Sequence, residues 1–148
     1  MHIVNTRLTT AQDINRFIHG GKGICTLEAP WGTNHTYLFA KPENSDVFPD
    51  DVVFVYAVHE SKHFYIGMIE QNKFRLTRNS RFLADNEITK GAAYIVKMAN
   101  SEALVRDTPM VLYHNGRCAR CGRMLPTTLD RENKTGFGRK CLKYVESR

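Results

Sequence analysis

The sequence predicts an α+β fold: a mainly antiparallel sheet with two helices, over residues 1–110, followed by a small C-terminal module over residues 111–148. Two observations carry the first part. Apolar and β-branched runs recur in short segments joined by two-to-five-residue turns, which is the pattern of a meander. Two segments instead repeat their apolar residues at helical spacing. The third observation is that three of the four cysteines lie after residue 111, in a stretch with a different composition.

Taking the elements in order, Thr10-Ala-Gln-Asp13 supplies an N-cap with an acid three residues on, and Ile14, Phe17 and Ile18 follow on one helical face until Gly20-Gly21 stops them. Gly23 to Ala29 alternates as a strand, Pro30-Trp-Gly32 is a turn, and a second strand is expected at 34–40. Cys25, far from the other cysteines and on a strand, reads as a small buried hydrophobe. The polar, periodicity-free segment 41–51 is a loop. Val52-Val-Phe54-Val-Tyr56-Ala-Val58 and Phe64-Tyr-Ile66-Gly-Met-Ile69 are strands, and Lys73 to Thr77 is a third strand after a Gln71-Asn72 turn. Thr89 is expected to cap a helix over 92–98, and 109–113 reads as a strand leading into the C-terminal module.

His59-Glu60-Ser-Lys-His63 matches the H-E-x-x-H pattern of zinc metalloproteases, which would make the chain a metal-dependent hydrolase. That chemistry needs both histidines on one face of a helix. The flanks are β-branched and aromatic, so these residues are expected to form a hairpin turn. No nucleophile elbow or phosphate-binding loop occurs elsewhere, and a non-catalytic role is expected.

The C-terminal module reads His114-Asn-Gly-Arg-Cys118-Ala-Arg-Cys121-Gly-Arg, and later Gly136-Phe-Gly138-Arg-Lys-Cys141. A Cys-x-x-Cys turn presents two thiolates to one centre, and Gly122 allows the backbone to curl around them. Cys141 opens an apolar-periodic segment, so its sulfur is placed at a helix N-terminus, where the dipole favours a thiolate. These three thiols point to one structural Zn²⁺ in a treble-clef-like or ribbon-like module. His114 is the expected fourth ligand, with Asp130, Glu132 or water as alternatives. The competing reading, a disulfide with a spare thiol, fits the spacing less well.

Charge is concentrated in the same module. Residues 111–148 hold nine Lys/Arg against three Asp/Glu, which accounts for the whole net charge of +6. Arg117, Arg120, Arg123, Arg139, Lys140 and Lys143 are therefore candidate contacts to nucleic acid or to an acidic protein surface. The run Lys73-Phe-Arg75-Leu-Thr-Arg78 adds Arg75 and Arg78 as a second basic, aromatic candidate. A solvated basic face around a metal site is the plainer alternative. The sequence has no signal-peptide pattern and no membrane span, so a cytoplasmic location is expected.

Phe74-Arg-Leu-Thr-Arg-Asn-Ser-Arg81, the segment from His114 to Leu125, and Gly136-Phe-Gly138-Arg-Lys-Cys141 together resemble a family of small uncharacterised bacteriophage and prophage proteins, which similarly place a helix and paired strands before a C-terminal zinc-finger-like motif. His35-Thr-Tyr37 and Tyr65-Ile-Gly67 match its strand positions as well. Where that family has a short Pro-Glu-Ser-Ile-like connector, this chain has Pro126-Thr-Thr-Leu-Asp-Arg-Glu-Asn-Lys134. The resemblance implies phage origin, a bacterial host cytoplasm and metal binding, with no established activity. Two functions follow as expectations: a nucleic-acid-binding accessory protein, or a stoichiometric anti-defence inhibitor, anti-CRISPR-like, of a host nucleic-acid-handling complex.

Overall fold

The computed structural model of the chain describes residues 6–42, 51–126 and 130–147, with only the backbone described at residue 130. Helix α1 (Ala11–Ile18) starts where the Thr10 hydroxyl accepts the Asp13 N–H, and it buries Ile14, Phe17 and Ile18. Gly21, at φ 113°, turns the chain out of the helix into the sheet.

Strands β1 (Lys22–Glu28), β2 (Asn34–Ala40), β3 (Val53–His59), β4 (Lys62–Glu70) and β5 (Lys73–Arg75) form an antiparallel meander, and β6 (Val111–His114) returns to lie beside β1. The sheet order is therefore β5-β4-β3-β2-β1-β6. Two of its turns contain only two residues. Glu60-Ser61 and Gln71-Asn72 all have positive φ, between 52° and 65°, the backbone that matches the twist of the flanking strands. His59 thus ends β3 and His63 lies in β4, so the turn expected over residues 59–63 is confined to Glu60 and Ser61, and the H-E-x-x-H residues share no helix.

The inward residues alternate along the strands: Gly23, Cys25 and Leu27 on β1, Tyr37 and Phe39 on β2, Val53, Val55 and Ala57 on β3. Helix α2 (Glu87–Ala99) covers them with Ala92, Ile95, Val96 and Ala99. Its fifth residue is glycine for a steric reason. The Tyr37 hydroxyl reaches under the helix to donate to the Ile88 carbonyl at 2.7 Å, and a Cβ at Gly91 would collide with that hydroxyl.

Two expectations about helices need correction. Thr89 is an interior residue of α2, buried, and the cap is Asn86, whose side chain accepts the Ile88 N–H at 2.8 Å. Among the described residues there are five helices: α5 (Arg139–Glu146) is the helix expected to carry Cys141, while α3 (Glu102–Asp107) and α4 (Asp130–Thr135) add to the two expected before residue 110. α3 is a six-residue helix capped by Ser101, too short to show a periodicity in sequence. None of the helices among the described residues is long and apolar enough to cross a membrane.

The packing runs across the boundary placed at residue 110. β6 pairs with β1, the Lys22 N–H donates to the Ala119 carbonyl at 2.7 Å, and Cys118, Ala119, Leu125, Phe137, Cys141 and Leu142 join the same apolar cluster as the sheet. Phe17 of α1 meets Phe137 edge to face at 6.4 Å between ring centroids. The C-terminal segment is thus fastened onto the end of the sheet and the side of α1.

Candidate metal centre and its basic surround

After β6 the chain makes a tight hairpin. Arg117 and Met124 form an antiparallel bridge, the Cys118 N–H donates to the Arg123 carbonyl at 2.8 Å, and the Gly122 N–H donates back to the Cys118 carbonyl at 2.9 Å. Gly122 holds φ 79°, which an L side chain rarely adopts, so the curl around the sulfurs rests on this residue. The third thiol comes from α5, where Cys141 is the third residue after the cap Gly138. The three Sγ atoms of Cys118, Cys121 and Cys141 lie within 4.8 Å of one another, the arrangement of a group that can hold a metal ion.

The local electrostatics prepare one thiolate. Burial by itself raises the Cys118 thiol, but the backbone N–H groups of Cys121, Gly138 and Arg120 point at its sulfur and bring it below its ordinary value. Burial raises Cys141, with Cys118 and Cys121 acting in the same direction, while the Arg120 guanidinium, 3.6 Å from its Sγ, acts against them. Cys25, by contrast, is enclosed in the core and its thiol is pushed up by burial.

His114 does not join the thiols. It is 2% exposed, its ring stacks on Phe17 at 5.8 Å, and both ring nitrogens are engaged. Nε2 lies 2.6 Å from the Asn133 carbonyl oxygen and Nδ1 accepts the Gly116 N–H at 2.9 Å. Those partners fix a neutral Nε2–H tautomer with its one lone pair already used, leaving nothing to coordinate a metal. Glu132 is also turned elsewhere: its buried carboxylate faces Arg139 Nε at 3.7 Å. The side chain of Asp130 lies outside the described residues.

The His114 arrangement has a pH consequence. Burial holds its pKa below the ordinary 6.5, the Asn133 hydrogen bond opposing. Below pH 6.5 the unfolded chain then binds more protons than the folded one, so stability is complete above that pH and is lost as pH falls toward the folded value. His19 shifts in the same direction, with burial again the largest cause. We expect denaturant midpoints to fall between pH 7 and pH 5, with a slope of up to about 1.4 kcal/mol per pH unit for each group. His114→Gln, whose amide can still donate to Asn133, should flatten part of that fall. An equally steep profile in the variant would show that His114 is not the titrating group.

The basic candidates divide into three sets. Arg117 donates to the Gly122 carbonyl at 3.2 Å, Arg139 faces Glu132, and Arg120 lies over the Tyr144 ring at 3.8 Å as well as on Cys141. These three hold the module together. Arg123, Lys140 and Lys143 are exposed on the same module. Arg75 lies in β5, paired with Glu70 at 3.3 Å, and Arg78 lies in the turn after it. β5 and β6 are opposite edges of a six-stranded sheet, roughly 24 Å apart at the usual strand spacing, so the structure does not bring Arg75 and Arg78 to the thiols. Tyr144 was not singled out from sequence, although its place three residues after Cys141 in a helix put it on the same face. The chain matches no family model, and no curated protein or solved structure matches it significantly.

Proposed function

We propose that the chain is a phage-encoded, non-catalytic protein that carries one structural Zn²⁺ and binds nucleic acid through its basic C-terminal module. Zinc is favoured by the donor chemistry: three thiols at one centre, one of them cradled by backbone N–H groups, suit a soft-accepting tetrahedral ion with Zn–S bonds near 2.3 Å. Such bonds set the sulfurs about 3.8 Å apart. A third thiol borne on a helix N-terminus favours the treble-clef-like form over the ribbon-like one. The metal would tie the Cys118–Cys121 hairpin to α5, and the fourth ligand would come from water or from a group other than His114.

The single observation behind the nucleic-acid reading is that the entire net positive charge falls on the module that holds the thiols. If four to six of its cations follow a phosphate backbone, log K should fall against log salt with a slope of about −3 to −5, shallower on single strands. Arg123→Gln or Lys140→Gln should each remove about one unit of slope and weaken all sequences alike. Arg75→Gln with Arg78→Gln is the comparison, since a loss there would move the site to the far edge of the sheet. No binding to DNA or RNA at low salt would defeat this reading. Retention of a host protein after nuclease treatment of a pull-down would then favour the inhibitor of a host complex.

A further inference from the structure

A cleft of about 580 Å³ opens at the end of the sheet away from the thiols, with walls that include Asn34 and His35 of β2, Phe64 of β4, and Arg81 and Phe82 of the loop before α2. Lys22, at one end of β1, is hydrogen-bonded to Ala119 of the thiol hairpin, whereas Asn34 pairs with Glu28, six residues further along that strand and so roughly 20 Å away. The cleft is therefore separate from the metal centre and its basic surround. Its size falls within the roughly 300–1,000 Å³ of sites that take small organic molecules.

The walls combine aromatic rings with hydrogen-bonding groups. Phe64 and Phe82 are half-buried against the core where they border the cleft, and among the described residues neither packs on another aromatic ring. The guanidinium carbon of Arg81 lies 5.7 Å from the centre of the Phe64 ring, and the Arg81 backbone N–H donates to the Tyr65 carbonyl at 2.9 Å, which ties this cation's loop to β4. His35 adds a polar atom with nothing to bind. Its Nε2 is enclosed, has no hydrogen-bond partner among the described residues, and stands 3.7 Å from the Glu87 carboxylate, beyond hydrogen-bond length. Turning the ring toward a ligand therefore breaks no hydrogen bond at Nε2. Buried polar atoms are almost always paired, so an unpaired one at the wall of a cleft points to a ligand.

This combination discriminates among ligand classes. An aliphatic molecule would desolvate Asn34, His35 and Arg81 without giving them partners. Inorganic phosphate would leave both rings unused and would meet the Glu87 carboxylate beside His35. A planar heteroaromatic ring uses every group, stacking its face on phenyl while its edge exchanges hydrogen bonds with guanidinium, imidazole and amide. We propose that this cleft is a nucleobase site, in which a purine lies against Phe64 and Phe82 and presents its acceptor edge to Arg81 and His35. Guanine suits it best, because N7 and O6 accept two N–H groups of one guanidinium. The base comes either from a free nucleotide or from a single strand, and the site stands on its own geometry, independent of the function proposed above.

Three titrations of the zinc-loaded full chain test it, each followed through the NMR signals of the Phe64, Phe82 and His35 rings. Guanosine monophosphate, or a single-stranded oligonucleotide containing one guanine, should shift these signals saturably, and ribose 5-phosphate, which lacks the base, should not. Arg81→Gln and Phe82→Leu should each weaken the binding by roughly tenfold, with unmoved His114 signals showing that the fold is intact. Shifts with the oligonucleotide alone assign the base to a strand. Shifts with the nucleotide, when no oligonucleotide binds at all, keep the cleft and defeat the basic-module reading. Equal shifts with ribose 5-phosphate, undiminished binding in either variant, or ring signals unmoved by nucleotide and oligonucleotide alike overturn the proposal. An oligonucleotide that still binds by fluorescence anisotropy without moving those rings would leave the basic-module reading standing while the cleft fails.

Discussion

Cys118→Ser, Cys121→Ser and Cys141→Ser are each expected to abolish stoichiometric zinc, while Cys25→Ser keeps one ion per chain. The reason is geometric: the first three sulfurs share one centre and Cys25 is enclosed in β1, opposite His114. Elemental analysis of the purified proteins decides it, and full occupancy in any of the first three variants would remove that residue from the ligand set. Structural zinc sites are worth on the order of 10 kcal/mol in small peptides, and a segment this short cannot replace that with its own core. Chelation should therefore open the hairpin, α4 and α5 to protease while the meander stays protected. Because β6 is hydrogen-bonded into the sheet, the first cuts should fall after His114 and not at residue 110. Cleavage within β1 to β4 at the same rate would mean that the sheet depends on the metal too.

Gly136→Ala should destabilise the protein by about 2–5 kcal/mol. Gly136 sits at φ 77°, and a Cβ there would lie 2.5 Å from Cδ1 of Phe17, in the middle of the contact between α1 and the module. The left-handed backbone costs roughly 1–2 kcal/mol for an L residue and overpacking a further 1–3. Gly116→Ala is the control, with nearly the same φ, 82°, and open space around the added carbon. It should carry the backbone cost alone. Denaturant unfolding of the pair measures the difference, and equal losses would show that Phe17 yields without penalty.

What could be read in the sequence is what is decided by neighbours in sequence. The Thr10 cap, the Gln71-Asn72 turn, β1 and β2, and the burial of Cys25 all follow from residues within a few positions of one another. The thiol cluster was legible for the same reason at Cys118 and Cys121, and at Cys141 through the helix whose first turn it occupies. His114 was misassigned because a histidine just before a Cys-x-x-Cys turn looks the same whether it binds metal or not. Its role is set by the Asn133 carbonyl nineteen residues later and by Phe17 in the first helix. The partners of Arg117, Arg120 and Arg139 were invisible for the same reason: charge counts do not say which cations are already committed.

The placement of β6 beside β1 also constrains the order in which the chain folds. β1 to β5 join neighbours across short connections, so most of those pairings can close early and locally. Joining His114 to Cys25 closes a span of eighty-nine residues, which costs about 3 kcal/mol more in loop entropy than a four-residue turn. That pairing is therefore expected late, after the meander offers a ready edge. The three thiols, by contrast, span only residues 118–141, so by the same measure a metal ion would gather its ligands before β6 finds its place beside β1, making ion uptake a local event that can precede the completion of the sheet.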